Sequence, residues 1–381
     1  MSLNNKVEVS IVMPCLNEEE AVGICVKKAK KALEDLGLSG EIIVVDNGST
    51  DNSAQVAQEA GAKVVFEPER GYGSAYLRGF REAQGQILIM GDADNSYDFL
   101  QIEKLISPLK DGYDLVIGSR FKGRIRKGAM PFANRYIGNP FLSLVLKILF
   151  KVKISDGQSG FRAFSRQAYQ KMELHSLGME FASEMVIAAI RENLKIKEVP
   201  IDYSCRKGQS KLNPIQDAWR IISFALIYSP DWLYLIPGLL FFLGGAYFLI
   251  LIMQGKAIIL GHKWDIHIMA LASMFSVVGV QIILLGLFAK TFGVIVGFLK
   301  EDKLLEFLWQ YFKLEKGIFI GTLLVILGML INFLILRQWV AQGFGPLERI
   351  REAIIASTLI IIGIQIIFSS FFFHMLGMKT R

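Results

Sequence analysis

Ile87-Leu88-Ile89-Met90-Gly91-Asp92-Ala93-Asp94 is an apolar run that breaks, at a glycine, into two acids spaced one residue apart. A short apolar run bounded by turn residues reads as a buried strand, so the acids sit where that strand reaches the edge of a sheet. Side chains alternate along extended backbone, so Asp92 and Asp94 point the same way and offer hard oxygen ligands to Mg2+ or Mn2+. Such an ion suits a diphosphate. Local turn hydrogen bonding also favours aspartate after a strand, so the pair alone leaves both roles open.

Upstream, residues 8–13 (EVSIVM) alternate into a strand, and 14–20 (PCLNEEE) break it before a helix running to about residue 36, with Asn17 as its N-cap. Residues 41–45 (EIIVV) form a second buried strand, ending in the turn cluster 46–51 (DNGSTD), which caps another helix. A third strand covers 63–66, and 69–73 (ERGYG) is a glycine-rich loop opening a helix over 74–82. After the strand that carries the two acids come a helix near 99–109, a fifth strand at 115–118 and a last strand at 198–203 (EVPIDY). Strand and helix alternate with short connections, which predicts an α/β fold with a mostly parallel, doubly wound sheet and a ligand site at the carboxyl ends of the strands. Asp46 and Asp92 both lie at such ends.

The chain has 381 residues, enough for more than one domain, and its apolar residues crowd toward the C-terminus. Four stretches, about 232–253, 267–291, 318–336 and 353–375, are each long enough to cross about 30 Å of hydrocarbon. The predicted organisation is a cytoplasmic catalytic domain over 1–212, an interfacial amphipathic helix over 213–230 and a four-helix transmembrane domain over 231–381. Residues 1–6 lack the apolar core of a signal peptide, which keeps the first domain inside. Loop 292–317 then lies on the cytoplasmic side with Lys300, Lys303, Lys313 and Lys316, against Lys256, Lys263, Arg337, Arg349 and Arg351 outside. This makes the chain an integral protein of the cell membrane. Gln281, Asn332 and Gln365 within the spans read as interhelical hydrogen-bond partners.

Two further stretches point to the membrane surface. Residues 141–150 (FLSLVLKILF) are apolar but too short to span and suit a helix lying in the interface. Residues 214–229 place Trp219, Ile222, Ala225 and Leu226 on one side and Gln216, Asp217 and Arg220 on another. The basic loop 122–127 (KGRIRK) is either a solvated surface or a lip facing anionic headgroups. A net charge of +7 fits a protein that rests on anionic lipid and binds phosphate. Nucleic acid is excluded as a partner, because no basic stripe with base-stacking aromatics is present. Cys15, Cys25 and Cys205 form no C-x-x-C pair and an odd count, which argues for reduced thiols. His262, His267 and His374 have no ligand spacing, and homo-oligomerisation is left open.

Pro14-Cys15-Leu16-Asn17-Glu18-Glu19, Val45-Asp46-Asn47-Gly48-Ser49-Thr50-Asp51, Asp92-Ala93-Asp94, Gly118-Ser119-Arg120 and Ser159-Gly160-Phe161-Arg162 resemble, in order and spacing, the motifs of family 2 GT-A glycosyltransferases. Within that family the chain is most similar to polyprenyl-phosphate sugar transferases of the dolichyl-phosphate mannose and glucose synthase kind. The resemblance covers about residues 7–229. It implies a Rossmann-like GT-A domain in which Pro14, Leu16, Asn17, Glu18 and Asp46 hold the base and ribose of a nucleotide sugar. Asp92, Ala93 and Asp94 would then address the ribose, the diphosphate and a metal, Mg2+ or Mn2+, with Asp94 its leading ligand and Asp92 the second. Arg206 and Lys211 would lie on a flexible basic loop near the diphosphate. Arg120, Arg135 and Asn139 would face the lipid acceptor, although relatives often carry a small hydroxyl residue where Asn139 stands. Asp156 and Glu180 are either active-site neighbours or satisfied structural carboxylates.

The reaction so implied is inverting transfer of a hexose from a UDP- or GDP-sugar to a membrane polyprenyl phosphate, dolichyl or undecaprenyl. Residues 94–99 (DNSYDF) look more like glucose-type members, which favours UDP-glucose over GDP-mannose. A lipid phosphate is already anionic near neutral pH, so no general base is needed. Asp92, Asp94 and Arg120 carry the catalytic assignment. Two alternatives are a processive polysaccharide synthase and a catalytically silent membrane partner subunit. The first usually shows Gln-x-x-Arg-Trp, whereas 216–220 (QDAWR) reverses the last pair; intact Asp92, Asp94 and Arg120 speak against the second.

Overall fold

A computed structural model describes residues 7–208, 214–253, 255, 257–259, 261–311 and 314–377. They form two compact units that divide between Ala225 and Leu226. In the first unit the elements run β1 (Val9–Cys15), α1 (Val22–Asp35), β2 (Gly40–Asp46), α2 (Ser53–Glu59), β3 (Lys63–Phe66), α3 (Tyr72–Glu82), β4 (Ile87–Met90), α4 (Ile102–Lys110), β5 (Leu115–Ser119), α5 (Asn139–Phe150), β6 (Arg162–Ser165), α6 (Arg166–Met172), α7 (Phe181–Arg191), β7 (Ile196–Pro200) and α8 (Pro214–Ile227), the last crossing the division.

The seven strands make one sheet in the order β3-β2-β1-β4-β6-β5-β7. β1, β2, β4 and β5 are apolar on both faces because helices cover both, as a parallel sheet requires. Every pairing is parallel except those of β6, which runs antiparallel to both β4 and β5. β6 has no apolar run to announce it. Its first residue, Arg162, is fully buried and donates to the carbonyl oxygens of Gly157, Ser159 and Ala182 at 2.7–2.8 Å. Those three carbonyls supply the partners that a buried guanidinium needs.

The predicted N-cap of α1 is not where the chain puts it. The helix starts at Val22, and Asn17 sits outside it in the left-handed region at φ +52. Its side chain instead accepts from Thr50 N–H at 2.7 Å, tying the loop after β1 to the loop after β2. Beyond β5 a π-helical turn, Asn134–Gly138, leads into α5. α5 buries Leu142, Ser143 and Leu146 and exposes Phe141, Leu144 and Ile148.

The second unit holds α9 (Ile236–Met253), the hairpin β8 (Ala257–Ile259) and β9 (His262–Trp264), α10 (Ile266–Val296), α11 (Lys303–Tyr311), α12 (Leu314–Ala341) and α13 (Ile350–Gly377). Among the described residues four helical segments, Asp231–Met253, Ile266–Val296, Leu314–Ala341 and Ile350–Gly377, are long and apolar enough to cross a membrane. α12 and α13 approach through glycine, since a Cβ on Gly321 would stand 2.6 Å from the Gly363 carbonyl oxygen and one on Gly363 just as close to that of Gly321. Such close backbone approach drives helix association in lipid. An interhelical hydrogen bond between α10 and α13 joins Ser273 and Thr358 at 2.6 Å. The predicted partners do not provide it: Gln281 and Asn332 are exposed, and the Gln365 Oε1 is buried with no hydrogen-bond partner among the described residues.

Candidate active site

The carboxyl ends of β1, β2, β4 and β5 carry Pro14, Leu16, Asn17, Glu18, Asp46, Asp92, Asp94 and Arg120. β4 stops at Met90, and Gly91 has no room for a side chain because a Cβ would meet the Phe99 ring at 2.7 Å. The backbone has therefore left the sheet before the two acids, and their placement comes from tertiary partners instead of strand alternation. Asp92 Oδ1 accepts from Tyr72 Oη at 3.1 Å and Tyr76 Oη at 3.3 Å. Burial and then the neighbouring charge of Asp94 push the Asp92 carboxyl up to about 7. Burial holds both phenols well above their ordinary range, so they remain donors. Gly160 closes the other side, since a Cβ there would come 3.1 Å from Asp92 Oδ2 and 2.6 Å from Tyr72 Oη.

Tyr72 reaches Asp92 because of the glycine-rich loop. Side chains on Gly71 or Gly73 would collide with the carbonyls of Leu177 and Ser176. Leu177 O instead accepts from Gly73 and Ser74 N–H at 2.9 and 3.1 Å, which uses the first free N–H groups of α3 within the protein. Glu184 Oε1 and Oε2 accept from His175 and Ser176 N–H at 2.9 Å each and fix that segment. Asn47 completes the frame by donating to the Glu67 and Glu69 carbonyls and accepting from Gly71 N–H. Asn47 and Gly160 stand in motifs quoted from the sequence without a role of their own, and Tyr72 and Tyr76 carry no expectation from it. The ERGYG loop was the one signal for the tyrosines.

Asp94 Oδ1 accepts from Ser96 N–H at 2.9 Å and from Ser96 Oγ, so the turn role left open by sequence is present. Oδ2 lies 3.7 Å from Arg206 Nε. Arg206 Nη2 donates to Glu18 Oε1 at 2.8 Å, which brings the predicted Glu18 beside Asp94 through one guanidinium. Ala93, between the acids, is 2% exposed and offers only its backbone. Pro14 pairs with Val45 across β1 and β2, and Leu16 and Asn17 continue into a loop where Asn17 N–H donates to Ser49 Oγ at 3.0 Å. Asp46 Oδ1 accepts from Ser49 N–H at 3.0 Å. Lys211 lies outside the described residues.

Arg120 follows β5 and is 7% exposed. Its Nε and Nη2 donate to Asp156 Oδ2 and Oδ1 at 2.7 and 2.8 Å. Burial alone would lower the guanidinium pKa, but Asp156 outweighs it and holds the group charged. Asp156, undecided from sequence, is thus the partner of a buried arginine. Arg135 stands apart on the π-helical turn, its guanidinium 5.3 Å from the Tyr136 ring. Asn139 Nδ2 donates to Met130 Sδ at 3.5 Å. Among the described residues neither shares a hydrogen bond or ion pair with Arg120 or the two aspartates. α5 nevertheless touches this region, because Gly157 N–H donates to Ser143 Oγ at 3.1 Å.

The described residues contain no group of three or more histidines, cysteines, aspartates or glutamates able to hold a metal. The donor set fits Mg2+ or Mn2+ in the manner of a phosphate site. Such an ion takes one or two carboxylates from the protein and completes its shell with phosphate oxygens and water. Asp94 Oδ2 and Asp92 are the oxygens at hand.

A mostly parallel sheet with acids at its carboxyl edge, a buried arginine in the same unit and, among the described residues, four membrane-length helices agree with the architecture that the sequence resemblance implies, a GT-A domain joined to a membrane region. Residues 10–173 match the family model Glycosyl transferase family 2, and 287–377 match Glycosyltransferase family 2 C-terminal transmembrane region. The chain is 36% identical to low-salt glycan biosynthesis hexosyltransferase Agl6 of Haloferax volcanii over 97% of this chain and 89% of the relative. It is 33% identical to a dolichol-phosphate mannosyltransferase of Pyrococcus furiosus over 54% of this chain and 59% of that one. A solved structure of glucosyl-3-phosphoglycerate synthase from Mycobacterium tuberculosis, with Mn2+, UDP-glucose and phosphoglyceric acid, resembles it at a TM-score of 0.47 with 24% identity, over 58% of this chain and 78% of that chain. The chain belongs to glycosyl transferase family 2.

Proposed function

We propose that this glycosyltransferase moves one hexose from a nucleotide sugar to a membrane polyprenyl phosphate, with inversion, at the cytoplasmic face of the cell membrane. The observation that carries the reading is the pair Asp92 and Asp94 at the end of β4, within one unit with the charged, buried Arg120 at the end of β5. The loops after β1 and β2, with Pro14, Leu16, Asn17, Glu18 and Asp46, form the nucleotide end of the cleft. Asp92, oriented by Tyr72 and Tyr76, and Asp94 hold the diphosphate end. A bound Mg2+ or Mn2+ would neutralise the charge that grows on the diphosphate as the glycosidic bond breaks. Arg120 is fixed by Asp156 at the end of β5, in the unit that must hold two anions. The lipid phosphate attacks directly, and no side chain is assigned as base.

Domain roles follow from this reading: 1–212 catalytic, 213–230 at the interface and 231–381 in the bilayer. The likeness to a dolichol-phosphate mannosyltransferase and to a hexosyltransferase supports a dolichyl-type acceptor and a hexose. UDP-glucose is the favoured donor and GDP-mannose the second. A single-turnover assay with labelled nucleotide sugars and polyprenyl phosphate tests the reading. Label should move to the lipid in one step; polymer formation, or no transfer from any hexose donor, would overturn it.

A further inference from the structure

Arg206 occupies a position that a metal ion would contest. Asp94 Oδ1 is already engaged by Ser96, so Oδ2 is the oxygen left for an ion, and that is the oxygen Arg206 faces at 3.7 Å. The other end of the guanidinium is held by Glu18 through Nη2 at 2.8 Å. Its Nε is buried with no hydrogen-bond partner among the described residues. The backbone on either side is fixed, with Lys207 N–H donating to Asp94 O at 3.0 Å and Ser204 N–H to Ser96 O at 2.9 Å. The backbone at Ser204 and Lys207 is thus held while the guanidinium of Arg206 between them is incompletely satisfied.

We infer that Arg206 is the counter-cation of Asp94 and Glu18 until the donor arrives, and that the metal enters only as its chelate with a nucleoside diphosphate. A divalent ion on Asp94 Oδ2 and the guanidinium would lie within a few ångströms of each other and repel strongly in a partly buried cleft. A diphosphate reverses the sign of that interaction. It brings the ion its remaining oxygen ligands and gives the planar guanidinium of Arg206 paired phosphate oxygens for the two-point hydrogen bonding that arginine makes with phosphate. The exchange needs rotation of one side chain, from carboxylate to phosphate, between the backbone hydrogen bonds of Ser204 and Lys207. The Nε–H without an acceptor gains one in the same movement. This inference rests on the proposed nucleotide-sugar reading and specifies the form in which that substrate binds.

The test is Mn2+ binding followed by electron paramagnetic resonance on the full-length protein in detergent, without turnover. The unaltered chain should hold free Mn2+ weakly and gain at least about ten-fold in affinity when UDP or GDP is added. Arg206→Gln should bind free Mn2+ about five-fold tighter or more, the scale of removing one nearby like charge. Arg206→Lys keeps the charge and should match the unaltered chain within about two-fold. Thermal melts establish that each variant is folded. If folded Arg206→Gln binds free Mn2+ no tighter than the parent, or Arg206→Lys gains as much as Arg206→Gln, the inference is overturned while nucleotide binding stands. If the unaltered chain recruits no Mn2+ with either nucleotide, the nucleotide-sugar reading itself has failed.

Discussion

Arg120 and Asp156 meet in a two-point ion pair, Nε to Oδ2 at 2.7 Å and Nη2 to Oδ1 at 2.8 Å, with Asp156 fully buried. Glu198 Oε1 holds the same turn by accepting from Ser155 and Asp156 N–H at 2.7 and 2.9 Å. The arginine is therefore positioned by its surroundings before any substrate contact. Removing Asp156 leaves a guanidinium buried and unpaired, which costs about 3–5 kcal/mol. Asp156→Ala should lower the unfolding midpoint of the catalytic unit and its turnover together. A variant with an unchanged melting curve would show that the pair contributes little.

Much of this was legible because the signals were local. β1 alternates, β2, β4 and β5 hold short apolar runs, and Asp46, Asp92 and Asp94 stand at or just past the ends of β2 and β4. β6 was invisible, since RAFS has neither alternation nor an apolar run and its arginine is tolerated only through three carbonyls supplied from elsewhere. Tyr72 lies twenty residues from Asp92, so their contact belongs to tertiary packing, and the paired glycines beside it announced a loop without saying what would fill the space. The Asn17 N-cap failed for a similar reason: Thr50, distant in sequence, won its side chain.

Asp94→Asn should keep the fold and lose activity. The carboxylate lies past the end of β4, and asparagine keeps the Oδ1 that accepts from Ser96, whereas the charge it removes faces the proposed metal and diphosphate. The expected loss in turnover is about 100-fold or more, the scale of deleting one electrostatic contact to a transition state. Turnover against Mn2+ concentration is the measurement, and an unchanged rate with unchanged metal dependence would reject the role.

Loop 292–317 should lie on the same side of the membrane as the catalytic domain. Within the second unit Lys290, near the end of α10, pairs with Asp231 at 2.6 Å and with Asp302 at 2.5 Å, so the start of the first span and the end of the second share one membrane face. Asp302 Oδ1 also accepts from Leu305 N–H at 3.1 Å, which sets α11 beginning at that face. In sealed, right-side-out cells Lys303→Cys should resist a membrane-impermeant thiol reagent until the membrane is opened. Ready labelling from outside would refute the arrangement.

Arg135 is the cleaner test of how the lipid acceptor is held, because Arg120 is already committed to Asp156. The π-helical turn that carries Arg135 leads directly into α5, whose Phe141, Leu144 and Ile148 are exposed along one face, and Phe132, Tyr136 and Ile137 extend that apolar surface upstream. A helix of twelve residues cannot cross about 30 Å of hydrocarbon, so the proposed reading sets its apolar face at headgroup depth, where a polyprenyl phosphate would present its charge. Arg135 rests against the Tyr136 ring with no carboxylate partner among the described residues, which leaves its donors for an anion. A guanidinium can grip a phosphate at two points and hold its oxygen in line with the anomeric carbon; lysine offers a point charge and loses that orientation. Arg135→Lys should therefore raise the KM for polyprenyl phosphate or lower turnover by about ten-fold, while nucleotide-sugar affinity measured by calorimetry without lipid stays within about two-fold. Equal losses in lipid use and nucleotide-sugar binding would move Arg135 to the donor side and leave the acceptor phosphate to be held by other residues.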